Sequence, residues 1–213
     1  MKLRSILLLN MFLLSLVVSA QSLKPVNEAR KGEIISQISA VSKVTASLEC
    51  KFIQKKNISV LSETVVSEGM MYFKKENNLR WQYSKPYSYI FILSSGKVTI
   101  KNENRTDRFD TNSNKMFREI SEIMIGGVRG DVLAGNKKFT AQYFESGSLV
   151  MVKLFPRSKE LKQLFSQINL TFGKNNWLVY SIEMVEQGGD NTLITFTEKN
   201  VNKKIPDDIF RIN

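Results

Sequence analysis

Few residues in this 213-residue chain have the chemistry to break bonds. Histidine is absent, which removes the commonest general base near neutral pH and the commonest metal ligand. A Ser-His-Asp or Cys-His nucleophile is therefore excluded. Two acid pairs remain, Asp107 with Asp110 and Asp207 with Asp208, and glycoside hydrolysis needs only two carboxyl groups. Both pairs sit in polar, turn-like sequence that reads as solvated loop. Gly126-Gly127-Val128-Arg129-Gly130 has the glycines of a phosphate loop without its lysine-hydroxyl pair, so it reads as a helix stop. Cys50 is the only cysteine and cannot close an intramolecular disulfide. It shares an apolar face with Leu48 and Phe52, as a buried thiol would. No catalytic residue, cofactor or metal is expected. What the chain concentrates instead is aromatic surface: Trp81, Tyr83, Tyr87, Tyr89 and Phe91 all fall between Leu79 and Leu93. Such a cluster suits a large apolar contact.

The elements that must position these rings read as strands. Leu48, Cys50 and Phe52 alternate with Glu49 and Lys51, Val66–Phe73 follows, and Leu79, Trp81 and Tyr83 alternate with Arg80 and Gln82. Pro86 cannot donate to a ladder, so it separates that third strand from a fourth over Tyr87–Leu93. A hairpin turn at Ser94–Lys97 leads into Val98–Lys101 and Arg105–Asp110. Strands resume at Lys138–Phe144, Leu149–Phe155, Leu164–Phe172, Trp177–Glu186 and Thr192–Glu198, about eleven in all, with one more apolar strand position at Phe210. Two segments keep helical spacing instead. Arg30–Val44 carries Ile34, Ile38, Val41 and Val44, and Asn114–Val128 carries Phe117, Ile120, Met124 and Val128, closed by Gly126 and Gly127.

A twisted sheet of this many strands curls. Curling makes a concave face, and an exposed apolar patch of that size needs a cover. The amphipathic helices are the available cover, and Met116 and Met124 beside the second stripe suit a ligand of ill-defined shape. The predicted fold class is mainly β: an incomplete, half-open antiparallel barrel with an apolar concavity covered by short helices.

Composition limits the setting. The formal net charge is +11, but the lysines are scattered and form no stripe, so a solvated basic surface is expected and nucleic acid is not. Residues 1–20 read as a secretory signal: Lys2 and Arg4, an apolar run from Ile6 to Val18, then Ser19 and Ala20. No cysteine stands near that point, so no lipid-modified N-terminus is expected. Residues 21–213 are expected to be a single exported domain.

Ordered motifs carry a resemblance. Phe52-x-Gln54 is followed by Gly69-x-x-Tyr72-Phe73-Lys74-Lys75, then Leu79-Arg80-Trp81-x-Tyr83-x-x-Pro86, then Asp190-Asn191-Thr192, and last Asn202-x-x-Ile205-Pro206-Asp207-x-x-Phe210. In order and spacing these resemble the periplasmic outer-membrane lipoprotein carrier family, LolA. The resemblance implies a monomeric carrier in the periplasm of a Gram-negative bacterium that shields the acyl chains of lipoproteins. It implies an inner-membrane ABC-type exporter as donor, an outer-membrane acceptor and transient membrane contact. A carrier of another lipid or glycolipid, or a lipoprotein-sensing domain of the same fold, is the alternative. Phe52, Met70, Tyr72, Leu79, Trp81, Tyr83, Tyr89, Phe91, Phe117, Ile120 and Met124 are the expected lipid-binding residues, with Leu79 at the cavity mouth. Lys75 stands where the family pattern has a lid-tethering arginine, and Glu76 where it has a proline. Lysine keeps the charge and loses the planar fork, so a weaker latch is implied.

Overall fold

Asn27 starts the first helix, because its side chain accepts from the Arg30 amide at 2.9 Å and so caps one of the unpaired amides of the first turn. The computed structural model describes residues 22–111, 115–130, 133 and 137–212, and of the side chains in the second helix it omits those of Lys115, Met116, Phe117 and Ile120. The expected leader, residues 1–20, lies outside the described residues, as do the side chains of Phe117, Ile120 and Met116.

In chain order the elements are β1 (Lys24–Pro25), α1 (Glu28–Val44), β2 (Ser47–Ile58), β3 (Glu63–Lys74), β4 (Asn78–Lys85), β5 (Tyr89–Ser94), β6 (Lys97–Lys101) and β7 (Thr106–Asp110). Then come α2 (Lys115–Arg129), β8 (Phe139–Ser146), β9 (Leu149–Pro156), α3 (Lys159–Leu164), β10 (Phe165–Gly173), β11 (Val179–Glu186) and β12 (Asn191–Val201). All twelve strands form one antiparallel sheet in the order β1-β8-β9-β10-β11-β12-β2-β3-β4-β5-β6-β7. The sheet is open, with β7 at one edge and β1 at the other. The predicted mainly-β, half-open architecture is what forms. Two consecutive meanders, β2–β7 and β8–β12, meet where β12 pairs with β2. The link between them, α2, must therefore travel from one edge of the sheet back towards the other, which lays it across the concave face.

Several expectations are corrected. Among the described residues the strands number twelve, because Lys24 and Pro25 pair with Glu145 and Phe144, too short a contact to leave a periodic signal. Residues 159–164 form a third helix, started by Ser158 accepting from the Leu161 amide, so the strand expected from Leu164 begins at Phe165. Gly126 and Gly127 do not stop α2, which runs to Arg129 and ends at Gly130 with φ +76°. Gly127 instead gives a close approach: a β-carbon there would lie 3.0 Å from Ile182 Cδ1 on β11. Val44 is 69% exposed, and the buried stripe of α1 is Ile34, Ile38 and Ser42. Phe210 lies in a 3-10 turn, Asp207–Phe210, with no strand there.

The core fills the concave side, where Leu48, Cys50, Phe52, Met71, Phe73, Leu79, Trp81 and Phe196 are packed with Ile34 and Ile38 of α1. A smaller cluster, Ile92, Ile205 and Phe210 with Tyr72 and Ile90 against it, fixes the C-terminal segment to the convex face. Lys74 Nζ donates to the Ile205 carbonyl at 3.0 Å and Arg80 to the Ile209 carbonyl at 2.8 Å, which holds the same segment down.

Candidate functional site: an apolar cavity beneath the second helix

Strand alternation decides which rings meet. The register pairs Gly69 with Tyr83 and Phe52, Trp81 with Phe91, and Tyr83 with Tyr89, so these residues share the inner face. Gly69 is needed there, because a β-carbon would fall 2.0 Å from the Gln82 carbonyl oxygen and 2.7 Å from Phe52 Cζ. Its missing side chain lets the Phe52 ring lie over the strand, 5.1 Å from Trp81 and 5.0 Å from Tyr83 between centroids. Phe196 meets Trp81 at 5.8 Å and Tyr89 meets Tyr83 at 5.7 Å, both edge-on. Tilted and edge-on pairs are the favoured aromatic geometries.

Above this wall the packing is incomplete. A cavity of about 190 Å³ lies between α2 and the sheet, lined by Gln54, Trp81 and Tyr83, by Ile123 and Met124 of α2, and by Ile182, Met184 and Ile194 of β11 and β12. Well-packed interiors hold few voids larger than a water. An apolar hole of about 150 Å³ stays dry and takes a benzene-sized guest.

Among the described residues, none that lines this void is charged. Burial pushes the Tyr83 phenol up to about 12, with Tyr89 nearby adding to the shift. It likewise pushes the Cys50 thiol up to about 12. Both groups are neutral at physiological pH, so the inner face repels ions and accepts hydrocarbon. Of the polar groups at the lining, the Tyr83 hydroxyl donates to Gln54 Oε1 at 2.9 Å, whereas Trp81 Nε1 is buried without a hydrogen-bond partner.

Of the residues expected to bind lipid, Trp81, Tyr83 and Met124 line the cavity. Phe52 is fully buried directly behind them, and Phe91 packs half-buried against the same cluster. Tyr89 lies further along the inner face, in a neighbouring groove. Met70 and Tyr72 are corrections: the register places them opposite Gln82 and Arg80, on the convex face, where Tyr72 packs against the C-terminal segment. Leu79 is a correction too, being fully buried in the core and not at a mouth. Phe117 and Ile120 lie outside the described side chains. Sequence reasoning missed Gln54, Ile182, Met184 and Ile194. Gln54 shares the alternation of Phe52 and could have been found, whereas β11 and β12 come beside β2 only through long-range pairing.

The expected latch residue reaches the cover. Lys75 Nζ donates to the Lys43 carbonyl in the last turn of α1 at 2.6 Å. Asn202 adds two bonds at the same place, donating to the Val44 carbonyl at 3.1 Å and accepting from the Ala46 amide at 2.7 Å. The two donated bonds satisfy carbonyls that a helix end leaves open. At the other side Arg30 of α1 reaches Glu145 of β8 at 2.8 Å. The acids that might have suggested hydrolysis serve as structural partners: Asp207 pairs with Lys74 at 2.5 Å, and Asp107 with Arg105 at 2.6 Å.

An open antiparallel sheet curled around an apolar void, with helices across its concave side, defines a class of helix-covered half-barrels. The chain belongs to the family described as outer membrane lipoprotein carrier protein LolA, whose model matches residues 43–213. It is 24% identical over 156 residues to an outer-membrane lipoprotein carrier protein of Cupriavidus pinatubonensis, covering 71% of this chain and 68% of that one. To the protein of the same name in Pseudomonas putida it is 20% identical over 198 residues, 93% of this chain and 92% of that one. Among solved structures, an uncharacterized conserved protein of Thermus thermophilus shares the fold, with a TM-score of 0.52 at 10% identity over 86% of this chain and 94% of that one.

Proposed function

We propose that residues 21–213 act as one exported domain that takes lipoprotein acyl chains into the cavity beneath α2 and carries them through the periplasm. Donor and acceptor are an exporter in the inner membrane and a receiver at the outer membrane. The observation that carries this reading is the uncharged void between the Trp81–Tyr83 wall and Met124 of α2. The names of the related proteins and the family point the same way.

The energetics favour a shuttle. Each methylene leaving water contributes about 0.8 kcal/mol, so a chain of ordinary length gains on the order of 10 kcal/mol. That is enough to hold a lipid and too much to release it unaided. The resting cavity, at about 190 Å³, is smaller than such a chain, so loading must displace α2 or α1. A state that is closed when empty and strained when full gives up its cargo to a receiver more readily than a rigid pocket would.

Reconstitution tests this. Inner-membrane vesicles bearing a triacylated lipoprotein and its exporter are energised with the protein in solution, and the soluble fraction is assayed for lipoprotein. Wild type should bring it into solution and Trp81→Glu should not, while circular dichroism shows the variant folded. Soluble lipoprotein at the level of a no-protein control would overturn the reading. Met184→Glu serves as a second variant if Trp81→Glu fails to fold.

A further inference from the structure

A second pocket, of about 440 Å³, lies on the other face of α2 from the apolar cavity. Arg118, Ser121, Ile125 and Arg129 line it at spacings of three, four and four, which is one helical face, whereas Ile123 and Met124 line the cavity. The facing wall is two hairpin turns: Glu76 and Asn77 between β3 and β4, and Ser95 and Gly96 between β5 and β6. That wall is anchored. The Thr111 hydroxyl donates to the Gly96 carbonyl at 2.7 Å, and Arg129 Nη1 donates to Asn77 Oδ1 at 3.3 Å, tying the helix to the first turn. A volume of this order suits a small organic ligand and exceeds what a single ion needs.

Two donors on this face lack acceptors. Ser121 is 4% exposed, and its hydroxyl has no hydrogen-bond partner among the described residues. Buried hydroxyls are ordinarily bonded, and a helical serine can turn back to a carbonyl of the preceding turn. Arg118, one turn earlier, is half-buried and meets no acceptor among the described residues. Its ordinary partner would be Glu122, four residues on. Lys138 engages that carboxylate instead, together with Glu119 at 2.9 Å. An uncompensated, half-buried guanidinium beside an orphaned buried hydroxyl is an arrangement that an anion completes.

We propose that this pocket is a site for a phosphodiester, whose two unesterified oxygens are taken by the Arg118 guanidinium and the Ser121 hydroxyl, with Arg129 adding positive charge further along the helix. It is separate from the acyl cavity and does not depend on that reading. Charge selects the diester. Glu76 and Glu122 also line the pocket, so a single negative charge is matched there, whereas a phosphomonoester, with about two charges at neutral pH, meets more repulsion. A diester also carries carbon on both sides of its phosphate, and Ile125 and Leu93 give that carbon an apolar surface. The same chemistry belongs to a phospholipid headgroup and to a soluble glycerophosphodiester.

Titration of the intact, nitrogen-15-labelled protein with glycerophosphoethanolamine, a diester without acyl chains, tests this by NMR. The Ser121 and Gly126 amides should shift and saturate. Arg118→Gln should weaken binding about tenfold and Ser121→Ala about fivefold, while Lys159→Gln, at an exposed lysine of α3, leaves it unchanged. Ser121→Ala should not lower the melting temperature, because the hydroxyl it removes has no partner to lose. Dihexanoyl phosphatidylethanolamine below its micelle concentration separates the two sources: binding about tenfold tighter than the deacylated diester marks a lipid headgroup, and equal binding marks a soluble diester, with the Arg118→Gln loss present in both. Glycerol 3-phosphate or acetate binding as tightly as the diester would overturn the choice of ligand. No saturable shift at α2, or the same weakening in Lys159→Gln as in Arg118→Gln, would overturn the site.

Discussion

Replacing Lys75 by methionine keeps the aliphatic stem and removes the ammonium that donates to the Lys43 carbonyl at 2.6 Å. A single bond of this kind contributes about 1 kcal/mol, with a few tenths more from a positive charge at a helix C-terminus. The site is exposed and Asn202 still holds the Val44 carbonyl and the Ala46 amide, so the net loss should be about 1 kcal/mol. That corresponds to about a fivefold larger population with α1 detached. Native-state hydrogen exchange followed by mass spectrometry reads this directly. Peptides from α1 should exchange about fivefold faster in Lys75→Met, while peptides from β10–β12 keep their wild-type rates. Lys75→Arg should restore protection, because the guanidinium offers several donors to the same carbonyls. Unchanged exchange in α1 would show that Lys75 is no latch. A uniform rise across the sheet would show general destabilisation, and would refute the reasoning equally.

Gly69→Ala should destabilise the fold by more than about 2 kcal/mol in denaturant titration, since the clash at 2.0 Å is with backbone and the nearest side chain, Phe52, is locked by its neighbours. Iodoacetamide should leave native Cys50 untouched at pH 8 and alkylate it fully in denaturant, because the thiol is buried and its pKa pushed up to about 12. The hydrogen bond from Arg30 holds the Glu145 carboxyl below its ordinary value, with Lys174 adding to this. A depressed carboxylate contributes stability above its unfolded value near 4.3, and that contribution is lost as pH falls through the lowered folded value. Glu145→Gln should therefore lower stability near pH 8, where the ionised carboxylate contributes fully, flatten the acid limb in that window, and differ little from wild type at more acid pH; an unaltered acid limb would contradict the assignment.

Much of the architecture was readable because period-two alternation is strict where one face is buried. Leu48-Cys50-Phe52 and Leu79-Trp81-Tyr83 gave both the strands and the inner face. The failures share a cause: contacts that sequence distance conceals. Met70 and Tyr72 belong to the outer face because Met71 and Phe73 occupy the inward positions of β3, and only the C-terminal segment explains an aromatic ring at Tyr72 on that face. Gly126 and Gly127 looked like a stop because propensity was read without the sheet, against which Gly127 must pack closely. Half of the cavity lining comes from Ile182, Met184 and Ile194 with Gln54; the β12–β2 pairing brings together residues more than a hundred positions apart.

The central claim is that the void beneath α2 is a place for hydrocarbon and not a packing fault. Native mass spectrometry of the protein recovered without detergent from the envelope of cells that make it tests this most directly. The account predicts a fraction of molecules carrying the added mass of an acylated species, which is lost in Trp81→Glu. Bare protein alone, at wild-type expression and under conditions that preserve apolar complexes, would contradict it.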